Sequence, residues 1–251
     1  MILDFENIDK KGDKLRYLGG KSRLSKDISN VLNSNLKEEQ TFVDLFCGSC
    51  NVIEKIKGNR IRIANDKHKY LIEMWKAIQN GWIPPNDISE EEYKYIREHR
   101  ELNPALTGFV GFGCSYSGKW FGGYARNGKG KRNYADEAKR GIEKKLDNLH
   151  LVKFENKDYK DVEIPLGSLV YCDIPYEKKL GYCKKEVGEF NHNEFYKWVD
   201  DNKDKYNFYI SEYKENIREG FEIVWEKESK TGVRKNNKTI NTTEVLIKPI
   251  I

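Results

Sequence analysis

The run Ser168-Leu169-Val170-Tyr171-Cys172 is apolar, rich in β-branched and aromatic residues, and stops at Asp173-Ile174-Pro175-Tyr176. Such a run reads as a buried strand. Pro175 has no N–H to give a ladder, so the strand ends there. Asp173 and Tyr176 are thereby delivered to a strand mouth, where open α/β sheets bind ligands. A carboxylate, a carbonyl ahead of a proline and an aromatic ring on one turn can grip a planar ring that bears an amine.

Upstream segments repeat the pattern of an apolar run leading into a polar end. Phe42-Val43-Asp44-Leu45 leads into the small-residue loop Phe46-Cys47-Gly48-Ser49-Cys50, followed by Val52–Ile56, read as the start of a helix. A strand, tight loop and helix form the first half of a nucleotide-binding βαβ unit, in which close backbone approach to a ligand leaves little room for side chains. Arg60–Asp66 reads as a second strand ending in an acid, placed to meet ribose hydroxyls. Ahead of both, Tyr17-Leu18-Gly19-Gly20-Lys21 is a glycine turn entering a helix with Leu24, Ile28, Val31 and Leu32 at helical spacing, and its exposed amides with Lys21 offer an anion seat.

Further on, Leu151–Glu155 is a strand with Asp158-Tyr159 at its mouth, and Asn193–Asn202 and Tyr206–Ser211 read as helix and strand. The stretches Phe221–Trp225 and Thr243–Ile247 alternate as strands with no helix between them. They are expected to form an antiparallel hairpin at the sheet edge, joined by a basic linker over Lys227–Asn241.

Residues 104–134 break this rhythm with GFVGFGCSYSGKWFGGYARNGKGKRNY, dense in glycine, aromatics and cations. Lys and Arg exceed Asp and Glu by 45 to 40 over the 251 residues, but between Lys119 and Lys145 nine basic residues face three acids. The positive excess is therefore local. Basic side chains interleaved with Tyr116, Trp120, Phe121 and Tyr124 suit phosphate neutralisation and base stacking.

No apolar run approaches the ~20 residues of a membrane span, and a cytoplasmic protein is expected. Five cysteines in no paired framework suit a reducing compartment. Cys47 and Cys50 read as small loop residues, without the further ligands that would complete a metal site.

The order of these segments resembles the DNA N6-adenine methyltransferases of the DNA adenine methylase family, in particular compact phage-type members, from about Lys14 to Lys248. The resemblance implies an α/β fold: a Rossmann-like S-adenosylmethionine methyltransferase sheet over residues 1–83 and 149–251, with a C-terminal antiparallel hairpin and a target-recognition insertion at 84–148. It implies methylation of the adenine N6 amine in double-stranded DNA by base flipping. Transfer to cytosine N4 or to RNA, or donor and DNA binding without turnover, are the alternatives. Implied donor-site residues are Tyr17, Gly19, Gly20 and Lys21, with Lys21 near the donor's carboxylate, then Asp44, Phe46, Gly48, Ser49 and Asp66, and Asp158 with Tyr159 at the donor adenine. Asp173, Ile174, Pro175 and Tyr176 match the family's catalytic Asp-Pro-Pro-Tyr. DNA contacts are expected from Lys119, Trp120, Tyr124, Arg126, Lys129, Lys131 and Arg132. Ile174 departs from the family's first proline, and Cys50 stands where many members have glycine.

Overall fold

The computed structural model describes residues 15–126, 132–176, 184–235 and 238–250. Its helices are α1 (Ser25–Asn35), α2 (Lys69–Gln79), α3 (Glu90–Glu98), α4 (Pro104–Gly113), α5 (Tyr134–Glu143), α6 (Leu146–Leu149), α7 (Lys184–Val187) and α8 (His192–Asp200). The strands are β1 (Phe42–Asp44), β2 (Arg62–Asn65), β3 (Val152–Glu155), β4 (Leu169–Cys172), β5 (Asn207–Tyr213), β6 (Phe221–Lys235) and β7 (Lys238–Pro249). The chain divides into two compact units, Gly19–Ile72 with Asn148–Ile251, and Met1–Leu18 with Glu73–Asp147.

The first unit is built on a seven-stranded sheet in the order β3-β2-β1-β4-β5-β7-β6. β3, β2, β1, β4 and β5 run parallel, while β7 is antiparallel to both its neighbours. This is the expected Rossmann-like sheet with its C-terminal antiparallel hairpin. Successive strands step outward from β1 through β2 to β3, and the chain then returns to lay β4 on the other side of β1, so sequence order reverses between β1 and β4. Phe42 pairs with Leu169 and Asp44 with Tyr171 across that reversal. Diverging connections leave a crevice at the carboxyl ends of such a strand pair.

Side-chain alternation on the strands decides what enters the crevice. Val43, Ile63, Val170, Cys172, Phe208, Ile210, Val245 and Ile247 form one buried face with Phe195, Tyr196 and Val199 of α8. Ile174 extends the Val170–Cys172 alternation into that core and is 2% exposed. Burying such a side chain stabilises by about 1.5–3 kcal/mol. Packing therefore anchors the turn where the family has a proline ring, and the period of two sends Asp173 to the opposite side.

Two local expectations differ from the structure. Val52–Ile56 forms one 3₁₀ turn, Ile53–Lys55, rather than a helix. The basic stretch Lys227–Asn241 is not a linker, since most of it extends β6 and β7, which pair from Phe221 with Pro249 out to Lys235 with Lys238. The stretch is polar and β-branched in sequence rather than apolar, a pattern that hydrophobic periodicity does not flag as strand.

The second unit is helical. Ser89 caps α3 through a reciprocal capping box with Glu92, as its sequence spacing predicts. The glycine-rich GFVGFG segment, read as part of an irregular insertion, is in fact α4, started by the Asn103 cap and Pro104 at its first turn. Glycine is a poor helix former, and here its use is close approach. A Cβ at Gly111 would lie 2.2 Å from the Trp120 ring. Tyr93, fully buried, shares a hydrogen bond with the Ser115 hydroxyl at 2.8 Å and accepts the Gly123 N–H at 3.2 Å. Glu137 gathers two guanidinium groups, Arg16 at 2.8 Å and Arg132 through two bonds of 2.7 Å.

Candidate active site

Asp44 ends β1, and the loop that follows must turn sharply. Gly48 and Cys50 both have left-handed backbones, φ 48° and 57°, a region that favours glycine and costs other residues about 1–3 kcal/mol. Cys50 holds it while wholly buried, which accounts for glycine at this position in many members of the family it resembles. The loop is fixed from β2. Asp66 accepts the N–H of Gly48 at 3.0 Å and of His68 at 2.9 Å. Asn65 bonds the Leu45 carbonyl, the Lys157 carbonyl and the Lys157 N–H at 3.0–3.1 Å, tying the ends of β1, β2 and β3 together.

Acid dominates this end of the sheet. Burial, then the charge of Asp173, push the Asp44 carboxyl well above the usual carboxylate range, and Asp66 adds to it. Burial likewise raises Asp66 to about 6, despite the two amides that hold its charged form. One oxygen of Asp44, Oδ1, is buried without a hydrogen-bond partner. An unpaired buried carboxylate oxygen costs free energy unless something bonds it.

Beyond β4, the Lys21 ammonium sits 2.7 Å from Asp173 Oδ1 and 3.5 Å from Glu244 Oε2, with a lysine side-chain exposure of 6%. Burial works against its charge, but the two carboxylates outweigh that and raise its pKa. The same ammonium lies 4.2 Å from the centre of the Tyr176 ring. Tyr176 donates to Glu244 at 2.7 Å and packs edge-on against Tyr213 at 4.5 Å. His192 shares a hydrogen bond of 2.6 Å with the Pro175 carbonyl. Asp173, Pro175 and Tyr176 are thus each held from a different element.

The expected donor residues fall into three groups. Asp44, Phe46, Gly48, Ser49, Asp66, Asp158 and Tyr159 share the strand-end loops. Phe46 and Tyr159 rings meet at 5.8 Å beside Phe190. Asp158 caps the turn after β3 and pairs with Lys67 at 2.8 Å. Gly19 makes the left-handed turn, and Lys21 is engaged by Asp173 and Glu244. Tyr17 belongs to the helical unit and packs on Phe112 at 4.9 Å. Sequence reading gave Glu244, Asn65 and His192 no role. Glu244 carried a weak signal, being the one acid of β7 and standing immediately before its apolar run Val245–Ile247.

Of the expected DNA contacts, Lys129 and Lys131 lie outside the described residues. Lys119 is exposed. Arg126 is bonded to Glu90, and Arg132 to Glu137. Trp120 is wedged between Gly111, Phe112 and Phe121, and Tyr124 donates to the Ile88 carbonyl at 2.7 Å. Those two rings serve the packing of the unit, while Tyr116 is 68% exposed.

Residues 17–110 match the family model of the D12 class N6 adenine-specific DNA methyltransferases. The chain is similar to this family over that stretch, which is less than half of its length. The match takes in the glycine turn, the Asp44–Gly48 loop and Asp66, and ends before Asp173. Among solved structures, the chain is similar to the tRNA (m1A58) methyltransferase TrmI from Aquifex aeolicus, at 11% identity and a TM-score of 0.35, over 91% of this chain and 69% of that one. A protein of that family would use a methyl donor of the S-adenosylmethionine type. The residues present fit it. The donor's sulfonium and ammonium are cations, and the crevice pairs an unsatisfied buried Asp44 oxygen with the charges of Asp66 and Asp173. Among the described residues no helix is long and apolar enough to cross a membrane, and no cluster of His, Cys, Asp or Glu could hold a metal ion.

Proposed function

We propose that this chain is a D12-class methyltransferase that transfers a methyl group from S-adenosylmethionine to N6 of adenine in double-stranded DNA, acting on a base swung out of the helix. The observation that carries this reading is the placement of Asp173 two residues beyond Tyr171, which pairs across the β1–β4 reversal with the buried, under-bonded Asp44, close enough for the Asp173 charge to act on the Asp44 carboxyl.

Asp44 and the Gly48 loop would hold the donor's methionyl part, Asp66 its ribose, and Phe46 with Tyr159 its adenine. The bound donor supplies an electrophilic methyl group. The adenine amine is a poor nucleophile because its lone pair is delocalised into the ring. Asp173 and the Ile174 carbonyl, accepting its two N–H bonds, draw the nitrogen toward tetrahedral geometry and localise that pair. The activated amine would take the methyl group that the donor supplies, and the surplus proton on N6 would pass to the Asp173 carboxylate. Tyr176, held at its hydroxyl by Glu244, gives the extruded base a pre-ordered ring. Stacking worth ~1–3 kcal/mol offsets part of the few kcal/mol that unstacking costs.

The helical unit, within the basic segment, would meet the duplex. Lys119, Lys129 and Lys131 supply phosphate contacts, and Arg126 and Arg132 add charge while paired to acids. Incubation of the chain with methyl-labelled donor and unmethylated duplex, followed by sequencing of modified bases, tests the reading. Label on adenine N6 supports it. Label on cytosine or on RNA alone, or none, overturns it.

A further inference from the structure

Glu244 reaches the catalytic turn from β7, the far side of the sheet from the donor loop. Register places it opposite Tyr213 of β5, the residue whose ring abuts Tyr176. Its Oε2 accepts the Tyr176 hydroxyl at 2.7 Å and lies 3.5 Å from Lys21, while Lys21 lies 2.7 Å from Asp173. The ammonium therefore makes to Asp173 the bond that an adenine amine has to make. With 6% exposure, Lys21 cannot simply be surrendered to water, because an unpaired buried charge is costly.

We propose that Glu244 is a positioning residue for methyl transfer, the second seat onto which Lys21 moves when the adenine amine claims Asp173. The inference rests on the reading of Asp173 as the amine's acceptor. Glu244 also keeps the Tyr176 ring in place, so the two duties must be separated experimentally.

Glu244→Gln retains an acceptor for the Tyr176 hydroxyl and removes the charge that receives Lys21. With saturating donor and duplex, kcat is expected to fall roughly 10- to 100-fold, while donor affinity by calorimetry changes less than about threefold. Glu244→Asp, which keeps the charge, recovers part of the loss. In a Tyr176→Phe background the Glu244→Gln loss persists, because the charge acts on Lys21.

Binding supplies a readout without turnover. With the demethylated donor present, Glu244→Gln weakens affinity for duplex carrying the target adenine but not for duplex abasic at that position. The inference is overturned by unchanged kcat, by a loss that disappears in the Tyr176→Phe background, or by equal weakening on abasic duplex. An unaltered chain that transfers no label to adenine fails the parent reading instead, and this inference with it.

Discussion

Asp66 Oδ2 accepts the N–H of Gly48, eighteen residues earlier in the chain, at 3.0 Å. The acid that sequence order assigns to ribose thus also shapes the loop at the end of β1. Its pKa near 6 gives the crevice a pH response. A cationic donor binds best to ionised carboxylates, so donor binding releases protons from Asp44 and Asp66. Donor affinity should rise with pH between about 5 and 7. Calorimetry in buffers of differing ionisation enthalpy should record proton release over that range, and pH-independent affinity would place the donor elsewhere.

The same two carboxyls bear on stability with the opposite sign. Their folded pKa values lie above the unfolded ones, so the native chain holds more protons and loses stability as pH rises through the folded values. For Asp66 the loss runs from about pH 4 to about 6 and amounts to roughly 2–3 kcal/mol at most. Asp44→Asn should therefore raise the denaturation midpoint of the donor-free protein at pH 7 while weakening donor binding at least tenfold. Urea melts with and without donor separate the two effects.

Asp173→Ala is expected to lower transfer by at least about a thousandfold, since it removes the acceptor that activates the amine. Donor affinity should stay within a few-fold of the unaltered chain. Labelled transfer and donor titration on one preparation measure both, and retained transfer would refute the assigned role.

At Cys50, alanine and glycine should part company. Cys50→Ala keeps the left-handed strain and loses the thiol's packing, whereas Cys50→Gly relieves the strain. The glycine variant should be the more stable of the two by about 1 kcal/mol, read from chemical denaturation midpoints.

In the helical unit, Gly111→Ala would drive a methyl group into the Trp120 ring and should cost about 1–3 kcal/mol by overpacking. Trp120→Ala should lower thermal stability, as a packing residue does. A Trp120→Ala protein that melts unchanged but loses DNA affinity would return the ring to the DNA surface.

Much of the sheet was legible because its signals are local. The apolar runs ending at Asp44, Asp66 and Asp173 announce strands, and their order announces the crevice. Legibility failed where a residue's purpose lies in a distant partner. Gly111 reads as a helix breaker until Trp120 is seen against it, and Arg132 reads as a phosphate contact until Glu137 takes both ends of its guanidinium. Lys21 reads as an anion seat because nothing near it in sequence reveals Glu244. Ile174 reads as a defect in a proline motif because its anchorage comes from the α8 core rather than from its neighbours.

The sheet order has a bearing on how the protein is made. β7 is later in the chain than β5 and β6, yet it lies between them, and it brings Glu244 to Lys21, which stands more than two hundred residues upstream. Contacts of such sequence separation form slowly, after long loops have closed. A nascent chain can thus complete the Asp44–Cys50 loop while Lys21 and Tyr176 still lack Glu244, and the proposed catalytic turn is finished only when the β6–β7 hairpin docks.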